Sequence, residues 1–171
     1  MLTEDQFISY FEKLAIAHRT IAHNLDGQQS FFEVEDPDEL NAFNEALRYA
    51  TGSTVMLVVA GEGELDDNNS ENHVQVMEFQ IYILQKKDDG IKTSDIRSVC
   101  IEVIKSIVGR TKQDCRKGKI VPSKAITFRI SNVPIRMVGP VELNWYGYTT
   151  QLSFTCPFGW SVDSGTWSDI P

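Results

Sequence analysis

The sequence predicts a single α+β domain over residues 1–171, a mostly antiparallel four-stranded sheet packed by helices in the order α-α-β-β-α-β-β. Three observations carry this. Apolar residues recur at i, i+3, i+4 in three separate stretches. One β-branched run, Thr54-Val55-Met56-Leu57-Val58-Val59-Ala60, is continuous. Near the C-terminus a long segment alternates apolar and polar residues with period two, as a strand with one buried face does.

The first helix is read over residues 2–24, where Phe7, Tyr10, Phe11, Leu14, Ala17, His18 and Ile21 form one stripe. Thr3 is placed to cap it, with Gln6 three residues on completing a capping box. Asp26-Gly27-Gln28-Gln29-Ser30 is turn chemistry, and Phe31-Phe32-Glu33-Val34 is either a brief strand or an anchored loop.

Asp36-Pro37-Asp38-Glu39 opens the second helix, because a capping aspartate precedes proline at the first helical position and acids fill the first turn. Its buried stripe is Leu40, Phe43, Ala46, Leu47 and Ala50, and Thr51-Gly52-Ser53 stops it. The run 54–60 then reads as a central strand and 61–72 as a polar, acidic loop. Residues 73–87 form its antiparallel partner, with Val74, Val76, Phe79, Ile81 and Ile83 near a two-residue period. Ser94 is placed to cap a third helix, which carries Ile96, Val99, Cys100, Val103, Ile104, Ile107 and Val108 and ends near Gln113.

Residues 125–130 read as a third strand with Ile126, Phe128 and Ile130 inward. Pro134 marks an edge, bulge or bend, since proline donates nothing to a ladder. Ile135-Arg136-Met137-Val138 resumes before Gly139-Pro140 breaks the chain again. The last strand, 146–157, sets Tyr148, Thr150, Leu152, Phe154 and Cys156 on one face. Gly147, Thr149, Gln151, Ser153 and Thr155 occupy the other. A short aromatic tail, 158–171, follows; its Trp160 and Trp167 either dock on the domain or anchor a partner, and with Trp145 they are the candidate partner contacts.

The acidic N-terminal residues Thr3-Glu4-Asp5 do not form the basic region of a signal peptide, and no run reaches the ~20 apolar residues of a membrane span. The three cysteines, Cys100, Cys115 and Cys156, are odd in number and lack a CxxC pair, so neither a disulfide framework nor a zinc site is expected and a reducing, cytoplasmic setting is. A net charge of −8 with dispersed cations opposes a broad nucleic-acid or membrane footprint. The one basic cluster, Arg110, Lys112, Arg116, Lys117 and Lys119, reads as a helix C-terminus running into a solvated loop, or else as a local contact for an acidic partner or a backbone phosphate.

Catalytic, cofactor and metal residues are all expected to be none. His18 and His23 are five apart and cannot share a metal as an i, i+4 pair does, and Asp66, Asn68 and Ser70 lack the glycine and distal glutamate of a calcium loop. No dinucleotide, phosphate-loop or nucleophile-elbow motif occurs. Glu78, Lys86, Lys87 and Asp88 only loosely permit a nuclease core, and a cysteine with a distant histidine would need a pocket to bring them together.

The order helix, helix, strand, acidic loop, long strand, helix, strand, strand resembles the tail terminator and tail-completion proteins of long-tailed phages and related contractile particles. The likeness is carried by the hairpin of 54–60 with 74–87, the helix 94–113, and the closing pair 125–130 and 145–157, including Val141-Glu142-Leu143-Asn144-Trp145-Tyr146-Gly147-Tyr148. The helix over 37–50 and the aromatic tail depart from the minimal pattern. The resemblance implies a structural subunit that forms a homo-oligomeric ring, commonly a hexamer, caps the tail tube and joins it to the head-side connector. It also implies an acidic ring lumen, from Glu62, Glu64, Asp66, Asp67 and Glu71, past which DNA slides without sequence-specific binding. A non-enzymatic adaptor of another cellular system and a cryptic small enzyme are the alternative readings.

Overall fold

A computed structural model describes residues 2–35, 40–66, 73–122, 124–129, 133–142 and 144–159. Among these residues three helices, α1 (Glu4–Ala17), α2 (Leu40–Tyr49) and α3 (Thr93–Arg116), accompany six strands: β1 (Phe31–Glu33), β2 (Thr54–Asp66), β3 (Val74–Lys86), β4 (Thr127–Arg129), β5 (Ile135–Val141) and β6 (Trp145–Pro157). The α+β class holds, but the sheet is mixed and larger than four strands. Its order is β1-β2-β3-β6-β4, with β5 also on β6, and β1 runs parallel to β2 while every other pair is antiparallel.

Alternation along the strands separates two cores. Met56 and Val58 of β2, Phe79, Ile81 and Ile83 of β3, and Leu152 and Phe154 of β6 point to the face covered by α1 and α3. Phe7 of α1 stands 4.9 Å from Phe79 and 4.8 Å from Phe154 between ring centroids, within the range of favourable aromatic pairing. On the opposite face Val55, Leu57, Val59, Leu84 and Trp145 form a smaller core with Leu47 of α2. That helix covers only part of the face, so Glu78, Gln80, Gln151 and Ser153 remain on a polar, open area, where Gln151 Nε2 donates to Glu78 Oε2.

Several boundaries move. α1 stops at Ala17, seven residues short of the expected end at residue 24, because His18 turns to an extended backbone and Ala22 takes φ 50°. Ile21 still reaches the core, through a turn in which its N–H and that of Ala22 donate to the His18 carbonyl. Gln6 Oε1 accepts the Thr3 N–H at 3.1 Å, the returning half of the expected capping box. Lys92, not Ser94, occupies the N-cap position of α3, without a side-chain capping bond, and the helix runs three residues past Gln113. The start expected for α2 at Asp36-Pro37 lies outside the described residues.

The acidic segment after Ala60 is strand rather than loop as far as Asp66. A bulge between Ala60 and Gly63 absorbs the shift, after which Glu64 pairs with Val76 and Asp66 with Val74. Gly139-Pro140 likewise fails to end β5: Gly139 takes φ 111°, and the ladder resumes at Val141 opposite Trp145. A Cβ on Gly139 would stand 2.6 Å from the Trp145 carbonyl oxygen, so only glycine fits this crossing.

Candidate functional site

The acidic residues named from the sequence divide between strand and undescribed segment. Glu64 and Asp66, two residues apart on β2, share one face, and their partners Val76 and Val74 place it on the open side of the sheet with Glu78. Glu64 is exposed. Glu62 belongs to the β2 backbone at the bulge, while Asp67 and Glu71 lie outside the described residues. The open face therefore presents carboxylates and amides beside the small core under α2.

Trp145, named as a candidate partner contact, is buried in the chain's own smaller core. It is 3% exposed and packs with Leu84, Leu57 and Leu47, because its position in β6 points it beneath α2. Its two companions, Trp160 and Trp167, lie outside the described residues.

The histidines do not converge. His23 is buried; its Nδ1 accepts the Ser30 N–H at 3.2 Å and its ring packs on Phe31. His73 neighbours Phe158 at the start of β3, the end of the sheet where Leu2 is bonded to Gln75, whereas His18 lies at the far end of α1, roughly 20 Å along the helix. His18 borders a cavity of about 190 Å³ with Ser106 and Arg110, and one of about 410 Å³ with Ser98 and Glu102. Burial lowers its pKa, and its Nδ1 accepts the Thr20 N–H at 3.3 Å. Glu102 is paired with Lys105 and Arg110 with Asp114, so both charges lining these cavities already have partners.

No group of three His, Cys, Asp or Glu residues has metal-holding geometry among the described residues. The three thiols are free; burial pushes the Cys100 thiol up to about 12, the opposite of what a nucleophile requires. Cys115 Sγ donates to the Ile126 carbonyl at 2.8 Å. No helix among the described residues is long and apolar enough to cross a membrane.

The sheet edges carry opposite charge. At one edge Glu33 and Glu35 are exposed beside Glu4 and Asp5 in the first turn of α1, and burial together with those three neighbouring carboxylates raises the pKa of Glu33. At the other edge Lys124, Arg129 of β4 and Arg136 of β5 are exposed, with Lys112 and Arg116 on the end of α3 that packs against β4. None of these five cations is in an ion pair among the described residues, whereas Arg110, counted in the same cluster from the sequence, binds the buried Asp114 at 2.7 Å. Ile135 and Met137 of β5 add exposed apolar surface, at 40% and 66%. The sequence marks Lys112 and Arg116 within its basic cluster but does not join them to Lys124, Arg129, Arg136, Ile135 and Met137, since edge position is decided by strand order.

Comparison with protein-family models finds no match, and comparison with curated proteins finds none either.

Proposed function

We propose that this chain is a structural ring subunit of a phage or prophage tail-like particle, which terminates the tail tube and joins it to the head-side connector. The observation that carries the reading is a sheet open at two different edges, β1 and β4–β5. A protomer with two unlike edges associates head to tail, which gives closed rings when the rotation closes. The hairpin β2–β3, the helix α3 after it and the pair β4–β6 are the elements that carry the resemblance, while β1 and the strand character of the acidic segment depart from its order.

In this reading the protein is not an enzyme and needs no cofactor. Its partners are further copies of itself, in a ring commonly of six, and the tail-tube and connector proteins. Glu64 and Asp66, in the acidic segment that also holds Glu62, Asp67 and Glu71, face the lumen and repel the phosphates of passing DNA. The subunit is made in the cytoplasm and ends in the assembled particle.

Native mass spectrometry and negative-stain imaging of the purified chain, alone and mixed with preformed tubes of a phage tail-tube protein, test the reading. Closed rings of one size, seated at tube ends, are expected. A chain that stays monomeric at every concentration and ignores the tubes overturns it. An adaptor reading gains its one specific support from exposed Met137 and Ile135 on a free strand edge, where an extended peptide adds as a further strand. That alternative predicts a monomer that captures a peptide rather than a ring.

A further inference from the structure

We propose that the cleft between the end of α3 and β4 is a docking site for an acidic segment of another protein, one that carries an aromatic side chain flanked by carboxylates. The inference goes beyond the ring reading and does not depend on it.

The cleft joins an apolar floor to a cationic wall. Cys115, Ile126 and Phe128 line a cavity of about 320 Å³ together with Lys112 and Arg116, both exposed. The two cations are four residues apart in α3, so they lie on one side of the helix, and Cys115 belongs to the same side. Phe128 is 7% exposed and stacks on Phe154 at 5.2 Å between ring centroids. The bond from Cys115 Sγ to the Ile126 carbonyl ties α3 to the chain entering β4. Both walls are therefore held in place without a ligand, and docking has few side chains to order.

Charge selects the occupant. Residues 110–129 hold seven of the chain's 16 cations and one of its 24 acids, Asp114. That carboxylate is turned into the helix pair, where it binds Tyr10 and Arg110. Arg129 follows Phe128 in β4 and lies on the opposite face of the sheet. Lys112 and Arg116 remain at the cleft, in no ion pair among the described residues. Carboxylates of a partner meet these two charges, while an aromatic ring displaces water from the floor.

Nucleic acid fits the cleft less well. A duplex carries one negative charge per ~1.7 Å of its axis and extends well past so small a site. Beyond residues 110–129 the chain holds 23 acids against nine cations, which repel it. A short peptide meets the cationic cleft alone.

The probe is a capped synthetic pentapeptide with one phenylalanine between two pairs of glutamates. Added to the isotope-labelled full-length chain, it should shift the backbone amide signals of 112–116 and 126–128 and slow iodoacetamide at Cys115. Both effects should weaken in about 0.5 M salt, where the screening length falls to a few ångströms. Lys112→Glu/Arg116→Glu, checked for folding by circular dichroism, should bind at least ~10-fold more weakly. The neutral pair Lys112→Gln/Arg116→Gln should weaken binding in the same direction and serves if the inverted pair does not fold. A peptide with serine for phenylalanine should also lose about 10-fold. Amide signals that stay unmoved at millimolar peptide, or an inverted variant that binds as tightly as the natural sequence, overturn the site. An oligothymidylate that displaces the peptide at lower concentration assigns the cleft to nucleic acid, and the same shifts arising with protein concentration alone assign it to a second copy. Either result overturns the proposal. Ring formation is read separately, by native mass spectrometry, so the two readings fail independently.

Discussion

The Tyr10 hydroxyl donates to Asp114 Oδ2 at 3.3 Å, and the same oxygen accepts Arg110 Nε at 2.7 Å. One buried carboxylate therefore ties α1 to α3, 104 residues apart in sequence. The Tyr10 hydroxyl is held neutral far above its ordinary range, first by burial, then by the Asp114 charge and their hydrogen bond, with nearby Thr111 and Arg110 opposing the shift. Arg110 is half exposed and regains water when its partner is lost; Tyr10 does not. Asp114→Ala is expected to cost about 1–3 kcal/mol and Tyr10→Phe about 1 kcal/mol, read from urea unfolding midpoints. The double variant should cost less than the sum, because both changes remove the same bond.

Two glycines should respond to alanine in opposite directions. On Gly147 of β6 a Cβ would stand 3.0 Å from the Ile83 carbonyl carbon and from Leu84 Cα, with the Ile83 oxygen nearer still. These are backbone atoms of the paired strand, so β3 and β6 must separate, at a cost of about 1–3 kcal/mol or more. Gly109 lies exposed in the middle of α3 with nothing within 4 Å of its Cβ position. Gly109→Ala should stabilise by roughly 0.5–1 kcal/mol through helix propensity. Thermal melts of the two variants against the natural sequence decide both signs.

The acidic β1 edge makes a pH-dependent prediction. Burial and the carboxylates of Glu4, Glu35 and Asp5 raise the Glu33 pKa, so the folded state keeps this proton to higher pH than the unfolded chain. Between the two values the folded state binds more protons, and stability falls as pH rises through that window. Glu33→Gln should therefore be more stable than the natural sequence near neutral pH. Its advantage should vanish below about pH 4, where the unfolded glutamate is protonated too. His18 acts in the other sense: burial lowers its pKa, so its contribution is lost as pH drops through the ordinary histidine range. Stability profiles of Glu33→Gln and His18→Gln against pH separate the two effects.

Cys100 should resist alkylation. Its thiol is buried, is raised to about 12, and lies 3.8 Å from the Tyr146 carbonyl oxygen. At pH 8 the thiolate is scarce and the sulfur inaccessible. Mass spectrometry after iodoacetamide treatment should find Cys115, the partly exposed thiol, modified first, and Cys100 modified only in denaturant.

Periodicity made most elements legible. The stripe Ile96, Cys100, Val103, Ile104, Ile107 marked α3, and the alternation of Tyr148 to Cys156 marked β6, because each element buries one face and the spacing of its apolar residues follows from backbone geometry. The errors have a common cause. His18 and Ile21 fit the helical period although the helix ends at Ala17, since a turn delivers Ile21 to the same core. Glu64 and Asp66 look like loop residues but complete a strand, since one face of it is open to solvent. Trp145, a candidate contact by sequence, lies in the core, because which residues lie beneath α2 depends on where that helix crosses the sheet.

The amino-acid sequence by itself determined an acidic α+β chain: local propensity, period and charge are properties of neighbouring residues. Only the tertiary structure decided that β1 joins in parallel, that β4 and β5 both lie along β6, and that Glu33 and Arg136 stand on opposite free edges. Strand order depends on pairings between residues far apart in the chain, and no local pattern specifies them.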